Sequence, residues 1–330
     1  MFDALTLHRT TIAPALFLAP MAGITTSAFR RLLSDFGGYG ALTTEMISAS
    51  AFLHERPDAC SFTKRRPEEG LVIYQFRVSA DDRLEAMVEK LKPLGATALD
   101  LNLGCPAPKI QAQASGAALF REYKQLASVI ARIRRVYDGI LTVKVRLGDD
   151  PEGWQGPFRD RLRLFEDSGV DALTVHPRFS FEKLKRRARW DVFPWIAQAT
   201  SLPLIGNGDV VSPADLERHR TSFQALSGLM LGRIVAIRPW IFREFAGLPP
   251  VAIEPAEVWD RLWRYSLEDM PPERALPRMQ EFTTWFARNF TFGHTLDSLA
   301  KGARDVDDLR ARALRWLEAD PQRVRTVSVW

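Results

Sequence analysis

Cys105 stands in Asn102-Leu-Gly-Cys-Pro-Ala-Pro108, where one glycine and two prolines make a rigid turn around a lone thiol. A thiol displayed on such a turn can attack an electrophile or give up a proton, since the ordinary thiol pKa of about 8.5 keeps it protonated at neutral pH. Cys60 has no such framing and reads as incidental. Further along, Leu141-Thr-Val-Lys-Val-Arg-Leu147 sets Thr142, Lys144 and Arg146 at alternate positions, and Thr174, His176 and Arg178 repeat that spacing. Gly206-Asn-Gly-Asp209 and Gly232-Arg233 combine small residues with a cation. That chemistry suits an anion, because glycine lets backbone amides approach closely and arginine adds charge-assisted bonds, although Asn-Gly also makes plain tight turns.

These residues must be positioned by the elements around them. Eight short apolar runs, Leu16-Pro20, Ala41-Met46, Leu71-Phe76, Ala98-Gly104, Leu141-Gly148, Ala172-Arg178, Leu202-Asp209 and Gly228-Arg233, alternate with helical stretches such as Asp81-Leu91, Glu122-Arg135, Arg159-Asp167 and Pro213-Arg218. Strict alternation predicts a parallel sheet, and eight repeats fit a closed (β/α)8 TIM barrel of about 250 residues. An open doubly wound sheet is the alternative, but G-x-G-x-x-G and the Walker lysine motif are both missing. With leucines and valines turned to the outer helices, Asp100, Asn102 and Gly104, Thr142, Lys144 and Arg146, and Thr174, His176 and Arg178 all face the barrel axis. Lys144 then either pairs internally with Asp100 or Glu45, or faces a ligand at the carboxyl ends of the strands. Glycine-rich ends on strands seven and eight predict a phosphate-bearing cofactor. FMN fits better than NAD, with Lys144 near the N1-C2 edge of its reduced ring.

Composition bounds the rest. With 46% hydrophobic and 26% charged residues in 330, the chain reads as globular, and a net charge of +5 admits a polyanionic partner without requiring one. Two cysteines without C-x-x-C spacing support neither a disulfide framework nor a metal site, so no metal is expected and a reducing cytoplasm is the natural setting. No run reaches transmembrane length, and no membrane association is expected. The prolines of 248–255 read as a linker, and the pattern beyond becomes helical, with Val258, Leu262 and Tyr265, then Met279, Phe282 and Phe286, then Val306, Leu309, Ala313 and Leu317 sharing faces. Two domains follow: a cofactor-binding barrel over 1–247 and a small all-helical domain over 248–330.

Taken together, these motifs resemble the tRNA-dihydrouridine synthases. The likeness is carried by Leu18-Ala-Pro-Met-Ala-Gly-Ile-Thr25 with Phe29-Arg30, by Thr44-Glu-Met-Ile-Ser-Ala49, and by Asp100-Leu-Asn-Leu-Gly-Cys-Pro106 with Lys109. Ser115-Gly-Ala-Ala-Leu119, Val143-Lys-Val-Arg-Leu-Gly148, His176 with Arg178, Gly206-Asn-Gly-Asp209 and Leu231-Gly-Arg233 continue it in order. The resemblance implies reduction of the C5-C6 double bond of uridine in tRNA, or in rRNA as the alternative substrate, by FMN that NADPH has reduced. It implies that Pro20, Met21, Gln75, Lys144 and His176 meet the flavin, that Asn207, Gly208, Asp209, Gly232 and Arg233 cradle its phosphate, and that Asn102 and Arg178 hold the substrate. Cys105 is the implied general acid. The tail becomes an RNA-recognition domain, and a monomer is expected. A stacked base must be turned out to react, which calls for a basic rim, and Lys183, Lys185, Arg186, Arg187 and Arg189 are the candidates. A small-molecule flavin reductase of the dihydroorotate or dihydropyrimidine dehydrogenase kind is the alternative function. Thr26, Arg77 and Pro177 depart from residues common in the family.

Overall fold

In the computed structural model, which describes residues 2–57 and 60–329, all eight expected strands form. They are β1 (Leu16–Leu18), β2 (Ala41–Thr43), β3 (Leu71–Arg77), β4 (Ala98–Asn102), β5 (Ile140–Arg146), β6 (Ala172–His176), β7 (Leu204–Asn207) and β8 (Gly228–Leu231). Each pairs in parallel with the next, and β8 returns to β1, so the ring is closed. Most expected runs overshoot at their carboxyl ends, because their last residues belong to the loops that build the site. Two elements lacked a sequence signal. A short strand at Ile47–Ser48 extends the edge of β3, and an antiparallel hairpin, Leu5–Leu7 with Thr10–Ile12, sits at the amino-terminal ends of the strands. There His8 Nε2 lies 2.7 Å from Asp171, just before β6.

The outward leucines and valines are the glue of the barrel. Leu99, Leu101, Leu141, Val143, Val145, Leu173 and Val175 are fully buried against helices such as Tyr123–Val136, whose Leu126, Val129, Ile130 and Ile133 form one buried stripe. Burying each large side chain contributes about 1.5–3 kcal/mol, which fixes the register. Fixed register puts Asn102 beside Lys144 and Arg146 beside His176 across neighbouring strands.

Helices Pro255–Asp269, Pro272–Phe286, Gly293–Lys301 and Val306–Leu317 form the tail. Their expected apolar faces are buried, Tyr265 excepted, which is half-buried beneath Arg31. The tail packs on the barrel helix Ser27–Phe36, with the Phe29 and Phe282 rings 5.9 Å apart, so barrel and tail share one continuous apolar core. A polar latch backs this contact. Asp269, at the end of the first tail helix, accepts from Ser27 Oγ at 2.5 Å, from Lys64 Nζ at 2.7 Å and from Arg66. Asp269→Ala is expected to cost about 2 kcal/mol, read as a lower urea midpoint, since charge-assisted bonds to a buried carboxylate are lost while both cations keep access to water.

Thr26, where the resemblance leads one to expect aspartate, does the work of a short polar cap. It is the N-cap of helix Ser27–Phe36 and accepts from the Phe29 amide. Arg77 bonds to Gln113, and the Pro177 carbonyl accepts from the Arg189 amide, so both are absorbed locally.

Candidate active site

A cavity of about 340 Å³ opens at the carboxyl ends of the strands. Pro20, Met21, Asn102, Cys105, Lys144, His176, Arg178, Asn207, Gly208, Asp209, Gly232 and Arg233 all line it. Among the residues expected here only Gln75 does not. It is fully buried below the wall, its amide bonded to Asp100 at 2.7 Å and Asn102 at 2.9 Å. Four basic side chains, Lys144, Arg146, Arg178 and Arg233, face two acids, Asp209 and Glu281, so the cavity favours anions.

Lys144 settles the choice left open by its position. Asp100 is taken by Thr142 at 2.6 Å and by Gln75, while Glu45 accepts from the Gly23 amide at 2.8 Å and lies 3.6 Å from Arg278. Lys144 makes no hydrogen bond or ion pair with any described residue, and it lines the cavity. Burial first, and then Arg146, lowers its pKa to about 8, with Asp100 opposing the shift.

His176 is held neutral. Burial, followed by Lys144, Arg146, Arg178 and Arg233, pushes it well below its ordinary range. Its Nε2 then accepts from Arg178 Nη1, which leaves Nδ1 protonated.

Arg178, expected at the substrate, lines the cavity while its polar atoms turn to protein partners. Its guanidinium is fully buried and donates to the Arg186 carbonyl at 2.6 Å, to His176, and to Asp209 at 2.5 and 2.7 Å. The same Asp209 carboxylate accepts from Arg233 at 2.6 Å and from the Ala188 amide at 2.7 Å. Asp209 sits at φ 59°, a left-handed conformation that its dense bonding sustains. Gly208 beside it has φ 115°, and a Cβ there would lie 3.0 Å from His176 Cδ2. Gly208→Ala is therefore expected to displace the imidazole, weaken ligand binding several-fold and lower the melting temperature by a few degrees, since alanine is strained at this φ, as a ligand titration beside a thermal melt would show.

The cysteine loop is anchored through its backbone. Asn102 Oδ1 accepts from the Cys105 amide at 3.0 Å, and the Cys105 carbonyl accepts from the Ala117 amide at 3.1 Å. Gly116, at φ 62°, permits that approach, because a Cβ would stand 2.9 Å from the Cys105 oxygen. The thiol is thus left to the cavity.

Of the basic loop, Lys183, Lys185, Arg186 and Arg187 are exposed, whereas Arg189 turns back to Glu182 at 2.6 Å and stacks on Phe179. The Arg146 guanidinium fastens the loop through the Lys183 carbonyl at 2.8 Å. Sequence reasoning missed Trp285, Glu281 and Val329, which the tail contributes to the cavity wall. The first two share a helix face at i, i+4 opposite the apolar stripe, the one signal available. A second groove of about 1010 Å³ continues from Ala22 and Glu281, lined by Glu55, Arg56 and residues 60–62 on one side and by the tail on the other, and carries Arg56, Arg274 and Arg278 beside Glu55, Glu273 and Glu281. Cys60 lies in this groove, its thiol bonded to Glu55.

Fold and site together define a β/α-barrel protein with an anion-receptive cavity and a displayed thiol at its mouth. The fold is shared with the old yellow enzyme from Trypanosoma cruzi, at TM-score 0.53 and 10% identity over 79% of this chain and 95% of that one. Morphinone reductase shares it at TM-score 0.54 and 11% identity, covering 78% and 92%. The chain belongs to the dihydrouridine synthase (Dus) family, whose profile matches residues 17–311. It is 32% identical to tRNA-dihydrouridine synthase B of Pseudomonas syringae pv. tomato over 71% of this chain and 68% of that protein. It is 29% identical to tRNA-dihydrouridine synthase B of Shigella flexneri over 90% and 95%.

Proposed function

We propose that the protein reduces uridine to 5,6-dihydrouridine in tRNA, using FMN reduced by NADPH, with Cys105 as the proton donor. The observation that carries this reading is that Cys105, on a backbone-anchored loop, lines the same cavity as Lys144, a lysine with no hydrogen-bond or ion-pair partner among the described residues. The residues suit FMN. Lys144 offers an unpaired cation to the ring edge that becomes anionic on reduction, and Gly208 keeps open a space that a Cβ would fill. Gly232 and Arg233 stand at the adjacent strand end for the phosphate.

Bound FMN supplies a hydride to uracil C6. The chain's own residues do the rest. Cys105 holds the proton destined for C5, Asn102 fixes the loop that carries it, and neutral His176 presents Nδ1–H without adding charge. Arg178 acts as a positioning residue, locking His176 and Asp209 together. The target base must leave its stack to enter the cavity. Exposed Lys183, Lys185, Arg186 and Arg187 on one side and the groove with Arg56, Arg274 and Arg278 on the other flank the mouth, so the helical tail helps grip the RNA. No helix among the described residues is long and apolar enough to cross a membrane, and we place the enzyme in the cytoplasm as a monomer.

The test is nucleoside mass spectrometry of tRNA and rRNA fractions from cells with and without the gene. Loss of dihydrouridine from tRNA alone is the expected result, and unchanged content in both fractions would refute the reading.

Lys144 gives a second check. Free protein loses the Lys144 proton near pH 8, whereas the ring edge, anionic once reduced, retains it, so binding of reduced FMN takes up a proton above that pH. Affinity for reduced FMN should therefore fall as pH rises beyond about 8, approaching roughly tenfold per pH unit. Lys144→Met should bind reduced FMN more weakly at pH 7 and lose this slope, as anaerobic equilibrium dialysis across pH will show.

A further inference from the structure

An unbroken row of hydrogen bonds runs beneath the cavity to the cysteine. Thr142 Oγ1 donates to Asp100 Oδ1 at 2.6 Å, and Gln75 Nε2 donates to Asp100 Oδ2 at 2.7 Å. Asn102 Nδ2 donates to Gln75 Oε1 at 2.9 Å, and Asn102 Oδ1 accepts from the Cys105 amide at 3.0 Å. Thr142, Asp100 and Gln75 are at most 4% exposed, so bulk water cannot stand in for a lost partner.

The row has a sense, set at its two ends by groups that cannot exchange roles: the Asp100 carboxylate, which only accepts, and the Cys105 backbone N–H, which only donates. Side-chain amides are nearly symmetric in shape, and a half-turn exchanges their donor and acceptor ends. An ionised carboxylate has no proton to give, so it admits only the Nε2 end of Gln75. Oε1 then points to Asn102 and admits only its Nδ2 end, which leaves Asn102 Oδ1 for the Cys105 amide. A flipped Gln75 would set a carbonyl against the carboxylate and turn Asn102 with it, so that the Cys105 N–H would meet Nδ2 and lose its acceptor. Asp100 is ionised at neutral pH: burial raises it to about 6, while its bonds to Thr142 and Gln75 and the charge of Lys144 restrain the rise.

We propose that Asp100 is a positioning residue that holds the buried end of this row against a flip that would release the Cys105 amide, and thereby steadies the placement of the Cys105 thiol. The inference rests on the reading of Cys105 as proton donor, but the row itself can be tested apart from that role.

The test compares the flavin-loaded enzyme with two variants. Asp100→Asn can donate as well as accept, so only the Cys105 N–H then opposes the flip. Adding Gln75→Glu moves the acceptor-only group one place along. The carboxylate introduced at position 75 accepts from the amide introduced at position 100 and from Asn102, and the bond to Cys105 keeps its direction. Backbone deuterium uptake over residues 103–105 and the kcat and KM for RNA are read together. Asp100→Asn should speed uptake and lower kcat by roughly tenfold to a hundredfold with KM unchanged. The double variant should recover protection and most of kcat. Wild-type uptake and kcat in Asp100→Asn, or a folded, yellow double variant no better than the single one, would overturn the proposal. If Asp100→Asn does not fold, Gln75→Met cuts the row with an apolar side chain of similar shape. It should speed the same uptake, and unchanged uptake would again overturn the proposal. Faster uptake in Asp100→Asn alongside full turnover in Cys105→Ala would leave the row standing and refute the acid instead.

Discussion

Cys105→Ala is expected to stay folded and yellow while dihydrouridine formation falls by roughly 10²- to 10⁴-fold, the usual contribution of a positioned general acid. The loop is held by the Cys105 amide on Asn102 and by its carbonyl on the Ala117 amide. Alanine keeps both bonds, so only the thiol is removed. Lys144, His176 and the strand-end glycines are untouched, and flavin absorbance should match the parent. The loss belongs to the step that transfers a proton to C5, so single-turnover oxidation of the reduced enzyme by RNA should slow while reduction by NADPH does not. Parent-like single-turnover rates in the variant would remove Cys105 from the chemistry.

Glu69→Ala has the largest expected effect on stability, about 3–5 kcal/mol, because it strands a charge in the core. Arg30 and Glu69 are both completely buried and meet at 2.7 Å. Arg30 also donates to the carbonyls of Thr25 at 3.0 Å, Phe62 at 3.3 Å and Lys64 at 2.6 Å. Glu69 accepts from the Arg66 amide at 2.7 Å. One ion pair thus ties the loop after β1, which carries Pro20 and Met21 to the cavity, to the segment before β3. A urea titration should show the midpoint shift, and flavin retention should fall with it as the Thr25 end of the loop loosens. A shift under about 1 kcal/mol would mean that water reaches Arg30 in the native state.

The chemistry was legible in the sequence wherever period two was clean. In β4, β5 and β6 leucine and valine alternate with polar residues, and that alternation alone sends Asp100, Asn102, Lys144 and His176 inward. β3 reads Leu-Val-Ile-Tyr-Gln-Phe-Arg, almost continuously apolar, so nothing local marks Gln75, and its place below the cavity depends on Asp100 of the next strand. Period two also cannot show pairing. Arg178 shares the inward parity expected for Lys144, yet one ends bonded to Asp209 from the loop after β7 and the other makes no bond with any described residue. Helical periodicity identifies the faces that pack, and so finds Phe282 and Phe286. Trp285 lies on the face left over, whose neighbour is set only when the tail docks on the barrel. Val329 belongs to no regular element and carried no signal at all.

That last residue has a bearing on how the molecule is made. Its carbonyl accepts from Arg233 at 2.8 Å, and its side chain shares a cavity with Ala19. A chain emerging from the ribosome presents all eight strands before Trp285 or Val329 exists. The barrel can close early, since domains form in order during synthesis, but one wall of its mouth is then still to come, and with it one of the acceptors that orient Arg233. Completion of the cavity wall therefore belongs to the end of folding, and a half-made chain is a barrel whose mouth still stands open on one side.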